Sequence, residues 1–516
     1  HEGIYREEIN PPRGGTSDDQ RIIYQAAEGE HVEIRGSEVV TGWVRVEGDV
    51  WTVEIEHELF GDFNPFADIV DGPWFNARGT SGTTFRDGEW LDVNNTDERK
   101  HHSGCVYLDG EWLFEVAHKE ELFAENVPYG HSKTDKAWFA EVGKDVTMVY
   151  ANFGGKNPKD GLTEVNVRQT VLYPRKPYVN YITVRGFTMR HAAPKWAPPT
   201  LEQMALLSPG WSKGWIIENN TISHSINVGI ALGKYDDDRD VHRAGNQDYT
   251  ECIQRAYDSA NWNKESIGSH IVRNNEISYC EQAGIVGSLG CIFSEIRNNH
   301  IHHIHTQRRF GGAEMAAIKF HAPIDTVVAD NRIHDAFLGI WLDWMAQGAR
   351  VSGNLLYRND NQDLYMEVNH GPYLVDNNIC LSDRSRQLSQ GGAYVHNLVG
   401  GAFGNWQDAR ETPVFKPHST EKVKDHPISV GDDRHYNNVF VGIGPNKALQ
   451  VIPVAKRSAR YFSFGLRCYE FRPMLPDAGG NVYYHGAEPF KGEANATVLA
   501  EDPAYTLIEG KDEICL

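Results

Sequence analysis

The stretch "HIVRNNEISYC" (residues 270–280) decides the fold, because close variants of it recur along the chain. Each variant contains an alternating apolar strand, an asparagine and a second short strand. The other copies are "WIIENNTISHS" (215–225), "SEIRNNHIHHI" (294–304), "VVADNRIHDA" (327–336), "RVSGNLLYRN" (350–359), "YLVDNNICLS" (373–382) and "RHYNNVFVG" (434–442). An internal repeat of this kind predicts a fold in which one structural unit is stacked many times.

The spacing of the asparagines indicates what that unit is. Asn275, Asn299, Asn331, Asn354 and Asn378 are separated by steps of 24, 32, 23 and 24 residues. Such a step fits one coil of a right-handed parallel β-helix, in which asparagines stack at a tight turn, bond one another and tolerate left-handed backbone angles. A leucine-rich repeat is the main alternative, but it would need a leucine-rich consensus and a helical segment in every unit. We therefore predict the β-helix.

Part of the chain departs from this repeat. Residues 1–43 have the short strands and Gly/Pro turns of the first β-helix coils. Residues 44–165 contain longer, aromatic-rich alternating strands such as "VWTVEIEHELF" (50–60), which predict an inserted antiparallel β-sandwich of the jelly-roll type. Residues 166–516 return to the coil pattern and are predicted to form the main β-helix with a C-terminal extension. The predicted fold class is all-β.

The composition excludes several classes of partner. The chain has 516 residues, 40% of them hydrophobic, and a formal net charge of -21 without an evident Lys/Arg cluster. We therefore predict no nucleic-acid partner and no membrane association, since phosphate binding needs clustered cations and no apolar run approaches the roughly 18 residues that span a bilayer. A neutral ligand is expected, and a homo-oligomer stays open. The expected compartment is the cytoplasm, although residue 1 is His, so a removed signal peptide also stays open.

No cofactor is predicted to be required. The seven scattered cysteines lie in apolar contexts and are interpreted as small buried hydrophobes rather than disulfides or metal ligands. The acidic loop "YDDDRD" (235–240) lacks the glycine and the ligand spacing of an EF-hand, so a structural calcium ion is an open alternative but not a prediction. The cluster in "NNHIHHIH" (298–305) is interpreted as incidental, and no metal is assigned to its histidines, which are His300, His302, His303 and His305.

Three successive coil strands place polar residues in one column. His321, Asp343 and Glu367 lie 10, 11 and 11 residues before the asparagine that follows each strand, and strand alternation directs them outward. Adjacent strands are about 4.8 Å apart, so the carboxyl groups of Asp343 and Glu367 should be roughly 5 Å apart. Two carboxylates this close raise one pKa, and a separation of about 5–5.5 Å suits a retaining glycosidase. A solvated ladder of acids paired with Lys or Arg is the alternative.

The segments around this column resemble glycoside hydrolase family 120, a family of β-xylosidases. They are "MRHAAPKWAPPT" (189–200), "GWSKGWIIENN" (210–220), "KESIGSHIVRNNEI" (264–277), "AAIKFHAPID" (316–325), "NRIHDAFLGIWLDWMAQGARVSGNL" (331–355), "MEVNHGPYLVDNNI" (366–379) and, in the insert, "GDFNPF" (61–66) and "VYLDG" (106–110). The resemblance covers nearly the whole chain. It implies a right-handed β-helix with an inserted β-sandwich and a retaining, exo-acting enzyme that releases xylose from short β-1,4-xylo-oligosaccharides.

The resemblance also implies roles for single residues. The nucleophile of the family is the Asp of "WLDW", here Asp343, and its acid/base is the Glu before "VNHGPYLVD", here Glu367. A further active-site Glu precedes the "IK-x-HA" strand, and Glu314 matches it. We expect substrate contacts from polar and aromatic side chains that converge on the same face. They are Glu314, Lys319, His321, His370, Trp341, Trp344 and Trp196.

Two other classes of function stay open. A β-helix polysaccharide lyase would use a Lys or Arg base, often with calcium, on an acidic polymer, and few cations are evident near the carboxylate column. A non-catalytic carbohydrate-binding β-helix would keep the aromatic side chains without needing a close Asp/Glu pair.

Overall fold

The computed structural model describes residues 1–516 except 71–74, 77–82, 87–88, 93–100, 126, 130–131, 238–245, 309–310, 313, 443–460 and 511–513. Three long sheets, numbered 1 to 3 and defined by their strands in the next paragraph, form the main body. Between residues 216 and 405 each coil adds one strand to sheet 2, then to sheet 1, then to sheet 3. Neighbouring coils pair in parallel, as in strands Glu276–Cys280 and His300–Ile304. The predicted all-β class, a parallel β-helix with an inserted domain, is confirmed.

The strands of each sheet follow in spatial order. Sheet 1 consists of Gly3–Tyr5, Val32–Arg35, Phe187–Ala192, Thr221–Ser225, Glu276–Cys280, His300–Ile304, Arg332–Ala336, Leu355–Tyr357, Ile379–Cys380, Leu398–Val399, Val439–Val441, Val482–Tyr484 and Thr497–Leu499. Sheet 2 consists of Ile22–Gln25, Ile182–Arg185, Ile216–Glu218, Ile271–Arg273, Glu295–Arg297, Val327–Ala329, Arg350–Ser352, Tyr373–Asp376, Gly392–Val395, Arg434–Tyr436 and Asp477–Gly479. Sheet 3 consists of Val228–Ala231, Ala283–Ser288, Ala316–His321, Leu338–Asp343, Gln362–Glu367, Arg384–Leu388, Ala402–Asn405 and the antiparallel Phe462–Ser463.

A ladder of asparagines fixes the corner between sheets 2 and 1. In each rung, Nδ2 and the backbone N–H of one asparagine donate to Oδ1 of the next, with Nδ2–Oδ1 distances of 2.9–3.1 Å. The ladder runs through Asn220, Asn275, Asn299, Asn331, Asn354, Asn378, Asn397, Asn438 and Asn481. All five asparagines used as register marks belong to it, so the predicted stacking is confirmed.

The residue before each ladder asparagine turns the chain. Its backbone is left-handed, with φ of +56° at Asn274, +54° at Asn298 and +57° at Asp330, and glycine takes this position at Gly353. Asn, Asp and Gly enter this conformation at a lower cost than other residues. The prediction assigned the left-handed angles to the stacked asparagines themselves, whereas they belong to the preceding residue. This leaves each ladder side chain free to point into the corner.

The interior of the coil is a continuous apolar core. Register partners such as Val272, Ile296, Val328 and Val351 stack on successive strands of sheet 2, and each is almost completely buried. Removing such columns from water is the main favourable term in folding. The columns repeat only if every coil keeps the same register, which the ladder enforces.

The described residues of the inserted domain form two larger sheets. Their strands are, in spatial order, Phe114–Glu115, Lys136–Val142, Val146–Phe153, Val50–Glu56 and Val44–Glu47 in one, and Glu111–Trp112, Val106–Leu108, Thr163–Asn166 and Ser37–Val39 in the other. Pairing is antiparallel except between Phe114–Glu115 and Lys136–Val142. The pairing begins before the predicted boundary at residue 44, because Ser37–Val39 pairs with Thr163–Asn166. Trp43, Phe66 and Trp138 pack in its core.

Buried ion pairs hold this domain against the first coils. Glu164 of the insert is fully buried and accepts hydrogen bonds from Arg6, from Arg35 and from the hydroxyl of Ser37. Arg35 also donates to Glu33 at 2.7 Å within the same coil strand. A fully buried carboxylate needs such partners, because an unpaired charge is costly in the interior.

The remaining elements are short and lie in the connections. An α-helix spans Asn246–Ser259, and its residues Tyr249, Cys252 and Ile253 are buried in a cluster that includes Trp344 from the end of a sheet 3 strand. Among the described residues, the 3-10 helices are His57–Leu59, Lys119–Phe123 and Arg467–Phe471. The same residues form two-stranded pairs, which are Phe75–Asn76 with Gly311–Gly312, Thr83–Arg86 with Glu89–Asp92, Val127–Tyr129 with Ser132–Thr134, Glu411–Phe415 with Lys422–Pro427, and Ile508–Glu509 with Ile514–Cys515.

All seven cysteines lie in the described part of the chain, where six are buried and none forms a disulfide. This confirms their interpretation as buried hydrophobes for every cysteine except the exposed Cys515. Among the described residues, no helix is long and apolar enough to cross a membrane.

Substituting one ladder asparagine is expected to destabilise the whole coil stack. Asn299 is buried, accepts from the N–H and Nδ2 of Asn275, and donates to Asn331 and to the carbonyl of Val272. Asn299→Ala leaves these buried groups unsatisfied, at about 1–3 kcal/mol for each group. We expect a marked fall in the thermal unfolding midpoint.

The matched control is Asn298→Gly, because Asn298 is exposed and its φ of +54° suits glycine. The midpoint should change little in this variant. Equal midpoints for the two variants would contradict a structural role of the ladder.

Candidate active site

The register of sheet 3 brings three predicted site residues into one column. His321, Asp343, Glu367 and Leu388 are register partners on four adjacent parallel strands. Two residues earlier, Lys319, Trp341, Tyr365 and Arg386 form a second column. Intervening residues such as Phe320, Leu342 and Met366 point into the apolar core. Strand alternation therefore directs both columns to the outer face.

The outer face of sheet 3 is covered at this point, unlike an ordinary surface. Asp343 is only 6% exposed and Glu367 only 9%. The cover comes from coils that are longer than their neighbours. The length of a coil is the number of residues from one ladder asparagine to the next. The coil of 55 residues contains the helix with Tyr249, the coil of 32 residues contains Glu314, and the coil of 41 residues contains Arg410. The connections of these longer coils thus cover the carboxylates.

Asp343 is held by one of its two oxygens. Lys319 Nζ donates to Oδ2 at 2.8 Å, and His321 Nε2 lies 3.3 Å from the same atom. The other oxygen, Oδ1, is buried and accepts no hydrogen bond from any residue that the structure describes. A buried acceptor without a donor is costly, so such atoms are rare outside functional sites.

Glu314 is the second carboxylate that contacts Lys319. Its Oε1 lies 3.2 Å from Lys319 Nζ and 3.1 Å from His321 Nε2, and its Oε2 accepts from Gln203 Nε2 at 2.9 Å. Burial acts to raise the pKa of Glu314, but the charges of Lys319 and His321 outweigh it and lower this pKa to about 2. Its φ of +69° is left-handed, a strained conformation for a residue with a side chain. Glu314 is therefore a fixed anion that positions Lys319.

Glu367 has a different set of partners. Trp341 Nε1 donates to its Oε2 at 3.0 Å, and Arg410 Nη2 donates to its Oε1 at 2.6 Å. Arg410 also binds Asp408 at 2.8 Å. Both carboxylates of the column thus contact a cation, but each contacts a different one.

Two stacked aromatic rings lie between two cations in the second column. Lys319 Nζ lies 3.6 Å from the centroid of the Trp341 ring, which stacks on Tyr365 at 5.1 Å. Arg386 lies over the opposite end, 3.5 Å from the Tyr365 ring and 4.9 Å from that of Trp406. Cations over ring faces are attracted by the ring quadrupole, so this stack holds Trp341 beside Glu367.

The charges of the two carboxyl groups are unequal. Burial and the nearby charge of Glu367 raise the pKa of Asp343. Burial also acts to raise the pKa of Glu367, but the positive charges of Arg410 and Arg386 outweigh it and lower this pKa. This arrangement therefore favours a shared proton on the Asp343 side of the pair.

The remaining predicted residues lie at the edge of this cluster. Trp344 is buried against Tyr249 of the helix, with ring centroids 5.6 Å apart, and does not line the column itself. His370 Nε2 lies 2.8 Å from the carbonyl of His426 in strand Lys422–Pro427. Trp196 is buried, and the carbonyl of the next residue, Ala197, accepts from Gln203 Nε2 at 3.4 Å, the same atom that donates to Glu314.

Two cations near the pair were not among the predicted site residues. Arg386 follows from the register, since it occupies the next coil at the position of Trp341 and Tyr365. Arg410 lies in a long connection without a repeat, so no pattern in the sequence places it beside Glu367. The expectation of few cations near the column is wrong, because Lys319, Arg386 and Arg410 all approach it.

A group of side chains of the types that bind metals lies on another sheet. The described part of the chain brings Glu276, His300 and His302 together on sheet 1, not on sheet 3. The acidic loop 235–240 is described only up to Asp237, which pairs with Arg255 at 2.7 Å, and residues 238–240 lie outside the described residues.

Comparison with known proteins agrees with the fold. Residues 40–86 and 82–165 match the family model "Glycoside hydrolase 120, insertion domain". The solved structure described as "The complex structure of XylC with xylose" is 40% identical, with coverage of 100% of this chain and 82% of that chain and a TM-score of 0.88. A structure described as "Glycoside hydrolase" is 13% identical, with 78% and 87% coverage and a TM-score of 0.47. No curated protein matches the chain.

The likeness to XylC spans the whole chain and most of that protein, and the insertion domain matches independently. The chain therefore belongs to glycoside hydrolase family 120 and is a glycoside hydrolase.

Proposed function

We propose that the protein is an exo-acting β-xylosidase that releases xylose from β-1,4-xylo-oligosaccharides with retention of configuration. One observation carries the proposal. Asp343 has one oxygen fixed by Lys319 and the other buried without a hydrogen-bond donor among the described residues, directly beside Glu367 on the next strand. An immobilised carboxylate with one free oxygen is suited to attack an anomeric carbon.

In the first step, Oδ1 of Asp343 forms a bond to the anomeric carbon while the bond to the glycosidic oxygen breaks. Glu367 donates its proton to that oxygen, so the leaving sugar departs as a neutral alcohol. Lys319 holds Oδ2 at 2.8 Å and fixes the direction of Oδ1. The product of this step is a xylosyl ester of Asp343.

In the second step, the ionised Glu367 takes a proton from water, whose oxygen attacks the same carbon. The ester bond to Asp343 breaks and the carboxylate is regenerated. Two inversions give net retention. The register pairing of Asp343 with Glu367 supports this route, because adjacent strands hold carboxyl groups at roughly the 5–5.5 Å that retention needs.

The chemistry requires the proton on Glu367, whereas Arg410 favours its ionised form. We infer that an entering sugar separates Arg410 from Glu367. Without the guanidinium at 2.6 Å, burial raises the pKa of Glu367 and moves the proton to it, and Asp343 ionises beside Lys319. Binding of the sugar and protonation of Glu367 would then be coupled.

Two lines of support concern the substrate. XylC was solved with xylose, and it is 40% identical to this chain. The low exposure of Asp343 and Glu367 favours a small enclosed pocket that admits one end of a chain rather than an open groove. The side chains of Lys319, Glu314 and Trp341 are proposed to bind the terminal xylose unit.

A polysaccharide lyase is the weaker alternative despite the three cations. Lys319 and Arg410 are each bound to carboxylates, which favour the charged form of both side chains over the basic form, and Arg386 lies over aromatic rings. A purely binding role would not require the paired carboxylates.

Removing each carboxylate is expected to separate their roles. Asp343→Ala should abolish cleavage of p-nitrophenyl β-D-xylopyranoside. Glu367→Ala should lower the turnover of xylobiose by about 100- to 10,000-fold, which is the usual contribution of general acid catalysis to the rate. Added azide should rescue Glu367→Ala and give β-xylosyl azide, identified by NMR.

The matched control for both variants is Asp383→Asn, an exposed carboxylate in the next coil, which should keep its activity. The first-formed anomer of the released xylose, followed by NMR in the native protein, should be β. Appearance of the α anomer first would rule out retention.

Removing Arg410 is expected to shift the pH dependence. Arg410 lowers the pKa of Glu367, so Arg410→Met raises it, and the alkaline limb of kcat/KM should move to higher pH because the acid stays protonated longer. The control is Arg434→Met, an exposed arginine paired with Asp432. An alkaline limb that stays in place in Arg410→Met would contradict control of Glu367 by this arginine.

A further inference from the structure

A second group of chemically active side chains lies on the outer face of sheet 1. Glu276, His300 and His334 come from three consecutive strands, and His302 lies on the same strand as His300. Glu276 is the register partner of His300, and His302 is that of His334. The intervening isoleucines, such as Ile301, are fully buried, so the four polar side chains share the outer face.

The ligand atoms of this group are close to one another. One atom each from Glu276, His300 and His302 lies within 4.8 Å of the others. His302 Nε2 is 3.4 Å from Glu276 Oε1, and His300 Nε2 is 2.8 Å from Nε2 of His334. Ligands bound tetrahedrally at about 2.0–2.1 Å are separated by about 3.3 Å, so small side-chain movements suffice to surround an ion.

One of the histidines is oriented by a carboxylate behind its ring. Nδ1 of His334 lies 2.6 Å from Asp335, which favours the tautomer with the lone pair on Nε2, towards His300. A carboxylate behind a histidine is the usual outer support of a metal ligand.

The nearby cations are bound mainly to other groups. Arg332 is the register partner of His300, but its Nε donates to the hydroxyl of Tyr357 at 2.8 Å, and its Nη2 lies 3.9 Å from Glu509. Arg358 binds Asp335 and Glu509, and its Nη2 also lies 3.4 Å from Nδ1 of His334, which is not the nitrogen that contacts His300. The carboxylate of Glu276 remains as the anion that faces the imidazoles.

We propose that Glu276, His300, His302 and His334 form a binding site for a divalent transition-metal ion, with Zn²⁺ as the reference ion. Imidazole nitrogens with one carboxylate oxygen are ligands that suit zinc in a tetrahedral arrangement. The ion would tie three coils together across sheet 1. Because the catalytic column lies on sheet 3, the ion would stabilise the fold without taking part in the hydrolysis.

The sequence interpretation of these histidines as incidental rested on one segment of the chain. His300 and His302 belong to that segment, but Glu276 comes from the preceding coil and His334 from the next. His303 and His305, from the same segment, are not proposed as ligands, because Nδ1 of His303 lies 2.7 Å from Nδ1 of His302 and Nδ1 of His305 lies 2.8 Å from the carbonyl of Glu281.

The test uses the full chain after removal of metals with a chelator. ZnCl₂ is titrated by isothermal calorimetry into the native protein, His300→Gln, His302→Gln and the control His418→Gln. His418 is a surface histidine 2.9 Å from Asp325, so it offers a single imidazole–carboxylate pair without the second imidazole. We expect one equivalent of zinc to bind the native protein and the control, with at least tenfold weaker binding in the two ligand variants.

Thermal unfolding supplies an independent readout. Saturating zinc should raise the midpoint of the native protein and of His418→Gln, but not that of His300→Gln, since an ion that binds only the folded state stabilises it. Far-UV circular dichroism confirms that each variant folds. The proposal is overturned if the native protein takes up no stoichiometric zinc, or if His300→Gln and His302→Gln bind it as tightly as the native protein.

Discussion

The hydrogen bond from one ladder asparagine to the next is the constraint on which the rest of the structure depends. It fixes the position of each coil relative to the next at one corner, so the strands that leave this corner begin in the same register. Residues at nearly equal distances before the corner then lie above one another, as His321, Asp343 and Glu367 do at 10, 11 and 11 residues before their ladder asparagines. A slip of one residue in any of these strands would turn its polar side chain into the apolar core.

The ladder corner is constant in length, whereas the other corners are not. The chain between sheets 2 and 1 is two residues long from strand Arg273 to Glu276 and from Arg297 to His300, yet whole coils range from 19 to 55 residues. Extra residues enter on either side of sheet 3, where they supply Tyr249, Glu314 and Arg410. The fold therefore separates a rigid scaffold from the segments that shape the pocket.

This separation explains what the sequence could predict. The repeated asparagine and strand alternation are local signals, so they predicted the β-helix and the alignment of Asp343 with Glu367. Arg410 reaches Glu367 from a connection without periodicity, and only the folded chain shows that contact. The same limit applied to Glu276, whose neighbours His300 and His302 belong to another coil. Register is readable from spacing, whereas contacts made by irregular segments depend on packing that spacing does not encode.

The order of these parts along the chain has a consequence for biosynthesis. Each coil contacts mainly its neighbours, so a stack of this kind can be completed progressively as the polypeptide leaves the ribosome. Lys319, Asp343 and Glu367 are synthesised before Arg410. A nascent chain can thus hold the lysine that serves Asp343 while Glu367 still lacks its guanidinium partner. The carboxylate pair is assembled first, and the arginine that sets the ionisation of Glu367 arrives afterwards.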